Sequence, residues 1–191
     1  MSYNIENNAL AKGSIEDNLQ YLYDEVNNQK TRFIRFHLEI LKKYASECDH
    51  ITEMGVDSVN TTWSFLASKP KKLISIDINN YKAPSILQLA SDLAKKENIN
   101  FEFILGDTTK IDIEPTEFLF IDTDHSYKQL KAELKLHANK VSKYIAFHDT
   151  HMFPEMAKAL HEFLETYPTS FEWEKVYETE KSCGLTIIKR K

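Results

Sequence analysis

An α/β fold is what this sequence predicts: a doubly wound, mostly parallel sheet with helices on both faces and an antiparallel strand pair at the C-terminus. Three observations carry that prediction. From His50 onward, apolar runs of strand length alternate with segments of helical periodicity. Five successive runs end in polar or turn-forming groups, namely Glu53 to Gly55, Asp77, Gly106-Asp107, Asp122 and His148-Asp149. Finally, Trp173–Thr179 and Thr186–Lys189 follow each other with no helix between them, the pattern of an antiparallel closure.

Each element has its own local reason. Residues 1–13 are polar and Asn-rich and read as a flexible arm. Ser14 stands as a cap before Glu16 and Asp17, and Leu19, Leu22, Tyr23 and Val26 then share one helical face. Phe33, Phe36, Leu38, Ile40 and Leu41 predict a second helix to about Ala45, with His37 as a structural residue on its face. These helices occupy 14–46 and precede a core at 50–191. Ile51 opens the first strand, Gly55 supplies the turn, and a helix runs on to Ala67. Leu73–Ile78 is the second strand and Pro84–Glu97 a helix with Leu87, Ala90, Leu93 and Ala94 on its apolar side. Phe101–Leu105, Phe118–Ile121 and Tyr144–Phe147 are short buried-type strands, separated by a turn containing Pro115 and by a helical stretch over Tyr127–Val141. Pro154–Tyr167 is the last helix.

Composition narrows the function classes. At 191 residues the chain suits one domain, 1–191, and 42% hydrophobic with 28% charged residues is ordinary for a soluble protein. A net charge of −5 speaks against nucleic acid as a partner. No apolar run reaches the length of a membrane span, and the N-terminus lacks the pattern of a signal peptide. Cys48 and Cys183 stand far apart in no metal-ligand spacing, so a cytoplasmic setting is expected. The oligomeric state is not legible, and an oligomer is compatible with the sequence.

In a parallel α/β sheet, ligands sit beyond the carboxyl ends of the strands, at the switch in strand order. A single acidic residue after a strand is usually a turn former or helix cap. Repetition after every strand shifts the reading toward one shared rim. Asp77 follows the glycine turn by about twenty residues, the spacing at which nucleotide-binding units place a carboxylate on the ribose hydroxyls.

With these residues in place, the chain resembles the class I S-adenosylmethionine-dependent methyltransferases, which are Rossmann-like, over roughly residues 51–189. More narrowly it is similar to a small-molecule O-methyltransferase branch related to cephalosporin-hydroxylase-like and macrolide or aminocoumarin sugar methyltransferases. Glu53-Met54-Gly55 stands at the acidic-x-Gly signature and Thr61-Thr62 where that branch often has Ser-Thr. The stretches FIDTDHSY and FHDT match the branch more closely than the general fold. One departure is plain: the usual second glycine of the turn, near Asp57, is missing. The absence of G-x-G-x-x-G and a total of four glycines argue against a dinucleotide dehydrogenase and a P-loop.

The resemblance implies O-methylation of a hydroxyl on a sugar, and so a carbohydrate acceptor, or on another small molecule. It implies S-adenosylmethionine as cofactor, held by Glu53, Met54, Gly55, Thr61, Thr62, Asp77, Gly106, Asp107, Thr108 and Asp122. It also implies a divalent cation, Mg²⁺ or Mn²⁺, on Asp122, His148 and Asp149, with Asp122, His125 and Asp149 as the catalytic group. His125 is the base candidate, because its ordinary pKa lies near neutrality. Other readings stand beside these. Asp122 would cap the following helix and His148 would pack beneath it if no metal binds. Two further alternatives are a catalytically silent nucleotide-binding domain and a metal-dependent hydrolase on the same fold.

Overall fold

The computed structural model describes residues 15–28, 33–79, 84–166 and 172–191. The expected arm at 1–13 and the Ser14 cap lie outside the described residues. Helix α1 spans Ile15–Asn27, a 3-10 turn Phe33–Phe36, and α2 Leu38–Ala45. Strand β1 (His50–Met54) leads to α3 (Asn60–Ala67), β2 (Lys72–Asp77) to α4 (Pro84–Lys96), and β3 (Asn100–Leu105) to β4 (Thr116–Ile121). Then come α5 (Tyr127–His137), β5 (Val141–His148), α6 (Pro154–Thr166), β6 (Trp173–Thr179) and β7 (Leu185–Arg190).

The seven strands form one sheet in the order β3-β2-β1-β4-β5-β7-β6. The first five pair in parallel, and β7 runs antiparallel to both β5 and β6. Strand order reverses between β1 and β4, so a crevice opens beyond their carboxyl ends. Alternation along the strands divides the core into two layers. Phe118 and Phe120 of β4 pack with α1, α2, α3 and α4, among them Leu22, Leu41, Trp63 and Leu93. Leu119 and Ile121 face the other way, with Leu130 of α5 and Met156 and Phe163 of α6.

Two elements differ from expectation. The helical stretch over Tyr127–Val141 stops at His137, because Ala138–Lys140 forms a 3-10 turn and Val141 already pairs with Thr116 in the sheet. The second helix is also broken. A 3-10 turn occupies Phe33–Phe36, and His37 is the residue before α2 rather than a point on its face. The ring of His37 turns into the interior, where it is fully buried.

Candidate active site at the strand ends

The crevice begins at Gly55, which leaves β1 with φ of 86° and donates its N–H to the Ile76 carbonyl at 2.9 Å. A side chain there would collide with Asp122, so the β1 turn and the end of β4 meet backbone to backbone. Two residues at positive φ stand in for the missing second glycine: Asp57 at 42°, which an aspartate tolerates, and Val59 at 65°, where a β-branched side chain is strained. Asp77 holds this turn. Its Oδ2 accepts from the Val56 N–H at 2.8 Å and the Asp57 N–H at 3.1 Å, while Oδ1 accepts from Asn79 at 2.9 Å.

Two cavities of about 310 and 300 Å³ flank the turn and share Gly55 and Asp122. The first runs between Phe33 and Ile34 on one side and Asp57, Asn60 and Thr61 on the other. The second lies over Asp77, Ile78, Gly106, Asp107 and Thr108, and reaches Thr123 and Gln129. Asp107 accepts from Lys110 and from the hydroxyl and N–H of Thr109, which hold its carboxyl down to about 2.

Of the residues assigned to the cofactor, Gly55, Thr61, Asp77, Gly106, Asp107, Thr108 and Asp122 line one cavity or the other. Glu53, Met54 and Thr62 line neither cavity, and each is fully buried. Glu53 instead ties three elements together, accepting from the hydroxyls of Thr61, Thr62 (2.8 Å) and Ser75 (2.6 Å). Burial pushes its carboxyl up to about 7 against the pull of those hydroxyls.

On the β4–β5 side, Asp122, His148 and Asp149 each offer one ligand atom, all within 4.8 Å of one another. His148 Nδ1 lies 3.3 Å from Asp122 Oδ1 and 3.3 Å from Asp149 Oδ1. Asp149 sits at φ of 61°, which an aspartate tolerates, and its N–H donates to the Gly184 carbonyl at 2.9 Å. His125 closes the group, with Nε2 at 2.7 Å from Asp149 Oδ2 and 3.5 Å from Asp122 Oδ1, and its ring stacked on Phe153 at 4.2 Å. Burial lowers the pKa of His148, but the two carboxylates outweigh it and lift it to about 9. Asp122 and Asp149 likewise lift His125 to about 10, with the shorter contact coming from Asp149. Burial works against the charge on both carboxylates, yet the histidines hold them below their ordinary range.

Several residues at the site escaped the sequence reading. Glu133 accepts from Thr108 at 2.5 Å, Gln129 at 2.9 Å and Thr123 at 2.9 Å, and these three partners line the second cavity. Its sign in the sequence is faint but present: Leu130, Glu133, Leu134 and His137 share the buried face of α5, and two of the four are ionisable. His37, its ring 5.2 Å from that of His148, carried no such sign.

No family profile and no curated relative matches the chain. Solved structures do. An O-methyltransferase from Bacillus cereus in complex with SAH superposes with a TM-score of 0.63 at 13% identity, covering 94% of this chain and 92% of that one. A Staphylococcus aureus protein named as a caffeoyl-CoA O-methyltransferase gives a TM-score of 0.62 at 12% identity, covering 98% of this chain and 97% of that one. The fold is that of the methyltransferases. A third structure, named as an O-methyltransferase from Klebsiella pneumoniae, shares the methyltransferase fold with a TM-score of 0.60 at 14% identity, over 98% of this chain and 94% of that one. Among the described residues, no helix is long and apolar enough to cross a membrane.

Proposed function

We propose that this chain is an S-adenosylmethionine-dependent O-methyltransferase that acts on a hydroxyl of a sugar or other small molecule, assisted by a divalent cation. The observation that carries the reading is the convergence of Asp122, His148 and Asp149 beside two cavities joined at the Gly55 turn. The B. cereus neighbour, solved with SAH, supports the choice of cofactor.

The residues present fit both groups. Among the described residues Asp77 accepts three backbone hydrogen bonds, and a carboxylate has about four lone-pair sites, which leaves one for a ribose hydroxyl and a second if the turn yields. Cis ligand atoms on a Mg²⁺ or Mn²⁺ ion stand about 3 Å apart, and the spacings of 3.3 Å around His148 Nδ1 agree with that. Two carboxylates and one imidazole suit Mn²⁺ slightly better than Mg²⁺.

When bound, the sulfonium supplies an activated methyl group, and a cation lowers the pKa of the acceptor hydroxyl and orients it. The chain supplies alignment and the proton acceptor. Asp122, which lines both cavities, and Asp149 beside it would fix the position of the hydroxyl. His125 takes its proton on Nε2, with the ring held by Phe153. While both carboxylates lean on His125 it stays cationic, so it acts as a base only once they are otherwise engaged. The first cavity, apolar at Phe33 and Ile34 and polar at Asn60 and Thr61, suits a hydroxylated ring. The unpaired thiols of Cys48 and Cys183 favour the cytoplasm.

Calorimetry with S-adenosylmethionine and S-adenosylhomocysteine tests the first step, and no heat from either removes the methyltransferase reading. Methyl transfer to a panel of sugars and phenols, with and without EDTA, tests the second. Transfer that is lost on chelation and restored by Mn²⁺ is expected, and a rate indifferent to EDTA removes the cation. A binding domain without turnover remains the second reading, favoured by a turn that lacks its second glycine and is strained at Val59. Cofactor binding with no transfer to any acceptor would select it.

A further inference from the structure

His37 lies at the junction of the 3-10 turn and α2, and its ring is completely buried. It meets His148 edge to face, centroids 5.2 Å apart and planes at 70°. Among the described residues, neither ring nitrogen of His37 has a hydrogen-bond partner, and neither does His148 Nε2. A buried nitrogen without a partner is costly, and three of them on two touching rings call for an explanation. His137, the other fully buried histidine, closes Nε2 on the Thr108 carbonyl at 2.7 Å and leaves only Nδ1 without a partner, whereas His37 leaves both nitrogens.

The other edge of His148 points to the acidic pair, with Nδ1 at 3.3 Å from both Asp122 and Asp149. An imidazole that ligates through Nδ1 carries its proton on Nε2, and that N–H needs an acceptor to fix ring and tautomer. Among the described residues, His37 is the polar ring in contact with His148, and its two nitrogens, like His148 Nε2, are buried with no partner there.

We propose that His37 is the positioning residue for His148. It accepts the His148 Nε2–H on a ring nitrogen, through one buried water, and so keeps the Nδ1 lone pair turned toward a cation shared with Asp122 and Asp149. The inference rests on the cation site proposed above. It also gives the N-terminal segment a part in the site, because the same 3-10 turn carries Phe33 and Ile34 to the wall of the first cavity.

Two variants and one spectrum test it. His37→Phe keeps a ring and removes both nitrogens, whereas His37→Gln keeps an acceptor. Mn²⁺ affinity is measured by calorimetry, and the tautomer of His148 is read from two-bond ¹H–¹⁵N correlations in Mg²⁺-loaded wild type. The expected result is a Mn²⁺ affinity reduced about 10- to 100-fold in His37→Phe with no loss of thermal stability. His37→Gln should stay within about threefold of wild type, and His148 should be protonated on Nε2 alone. Wild type and His37→Phe binding Mn²⁺ equally well would overturn the role of His37 and leave the cation site intact. A wild type that binds no Mn²⁺ would overturn the cation site and this inference with it. The spectrum decides the matter even if His37→Phe does not fold, because Nδ1 protonation of His148 in the loaded protein contradicts the proposal.

Discussion

A Cβ on residue 55 would stand 1.9 Å from the Asp122 carbonyl oxygen, so the turn after β1 and the end of β4 are fitted to each other with no room for a methyl group. The φ of 86° at Gly55 adds a second obstacle to any other residue. Gly55→Ala is therefore expected to separate the two strand ends and to cost more than about 2 kcal/mol of stability. Thermal denaturation measures this as a drop of several degrees or more, and calorimetry should show S-adenosylhomocysteine binding lost with it. An alanine variant with wild-type melting would contradict the contact.

Asp77 offers a test that separates scaffold from ligand. In the present structure its carboxylate holds the Val56 and Asp57 N–H groups, and the second cavity lies over it. Asp77→Ala should weaken S-adenosylmethionine binding by about 1.5–3 kcal/mol, the range for a hydrogen bond to a charged group. Asp77→Asn keeps an acceptor for the turn and should restore stability more fully than affinity. Equal affinity in all three proteins would place the ribose elsewhere.

The sheet was readable because buried parallel strands are short, apolar and punctuated. Phe118–Ile121 and Tyr144–Phe147 needed no alternation to stand out, and the residues that end them meet at one rim. Other features depend on partners distant in the chain. At the break, the ring of His37 meets that of His148 on β5, a partner more than a hundred residues away that Phe33–Ala45 cannot announce. Glu53 matched a signature for ligand contact, but its place on β1 is interior, where Ser75 and α3 claim it. Strand periodicity places a residue on one face or the other, and only the neighbouring strand decides whether that face meets the crevice. The turn lacking its second glycine was visible in sequence, whereas its solution, positive φ at Asp57 and Val59, was not.

His125 is expected to matter to turnover and little to cofactor affinity. It touches Asp149 and Asp122 and lines neither cavity. His125→Ala should lower kcat by about 10²- to 10⁴-fold, the usual loss for a general base, while binding of S-adenosylhomocysteine stays within about twofold. Loss of both in parallel would mean that the ring serves only to hold Asp149.

Glu53 makes the stability of the protein depend on pH in a direction unusual for a carboxylate. Its folded pKa is raised to about 7, with burial the largest cause. The folded protein thus binds the proton more tightly than the unfolded chain does. Stability from this group is complete below the ordinary carboxyl range, near 4.5, and is lost as pH rises through about 7. The full span corresponds to about 3 kcal/mol at most. The side chain is entirely buried, so solvent screening does not reduce that figure greatly. Glu53→Gln cannot ionise and keeps an acceptor for the surrounding hydroxyls. Chemical denaturation at pH 5 and pH 8 should therefore find the glutamine variant near wild type at the lower pH and more stable than wild type at the higher one. A difference that shrinks with rising pH would mean that the hydroxyls of Thr61, Thr62 and Ser75 stabilise the charged form more than burial opposes it.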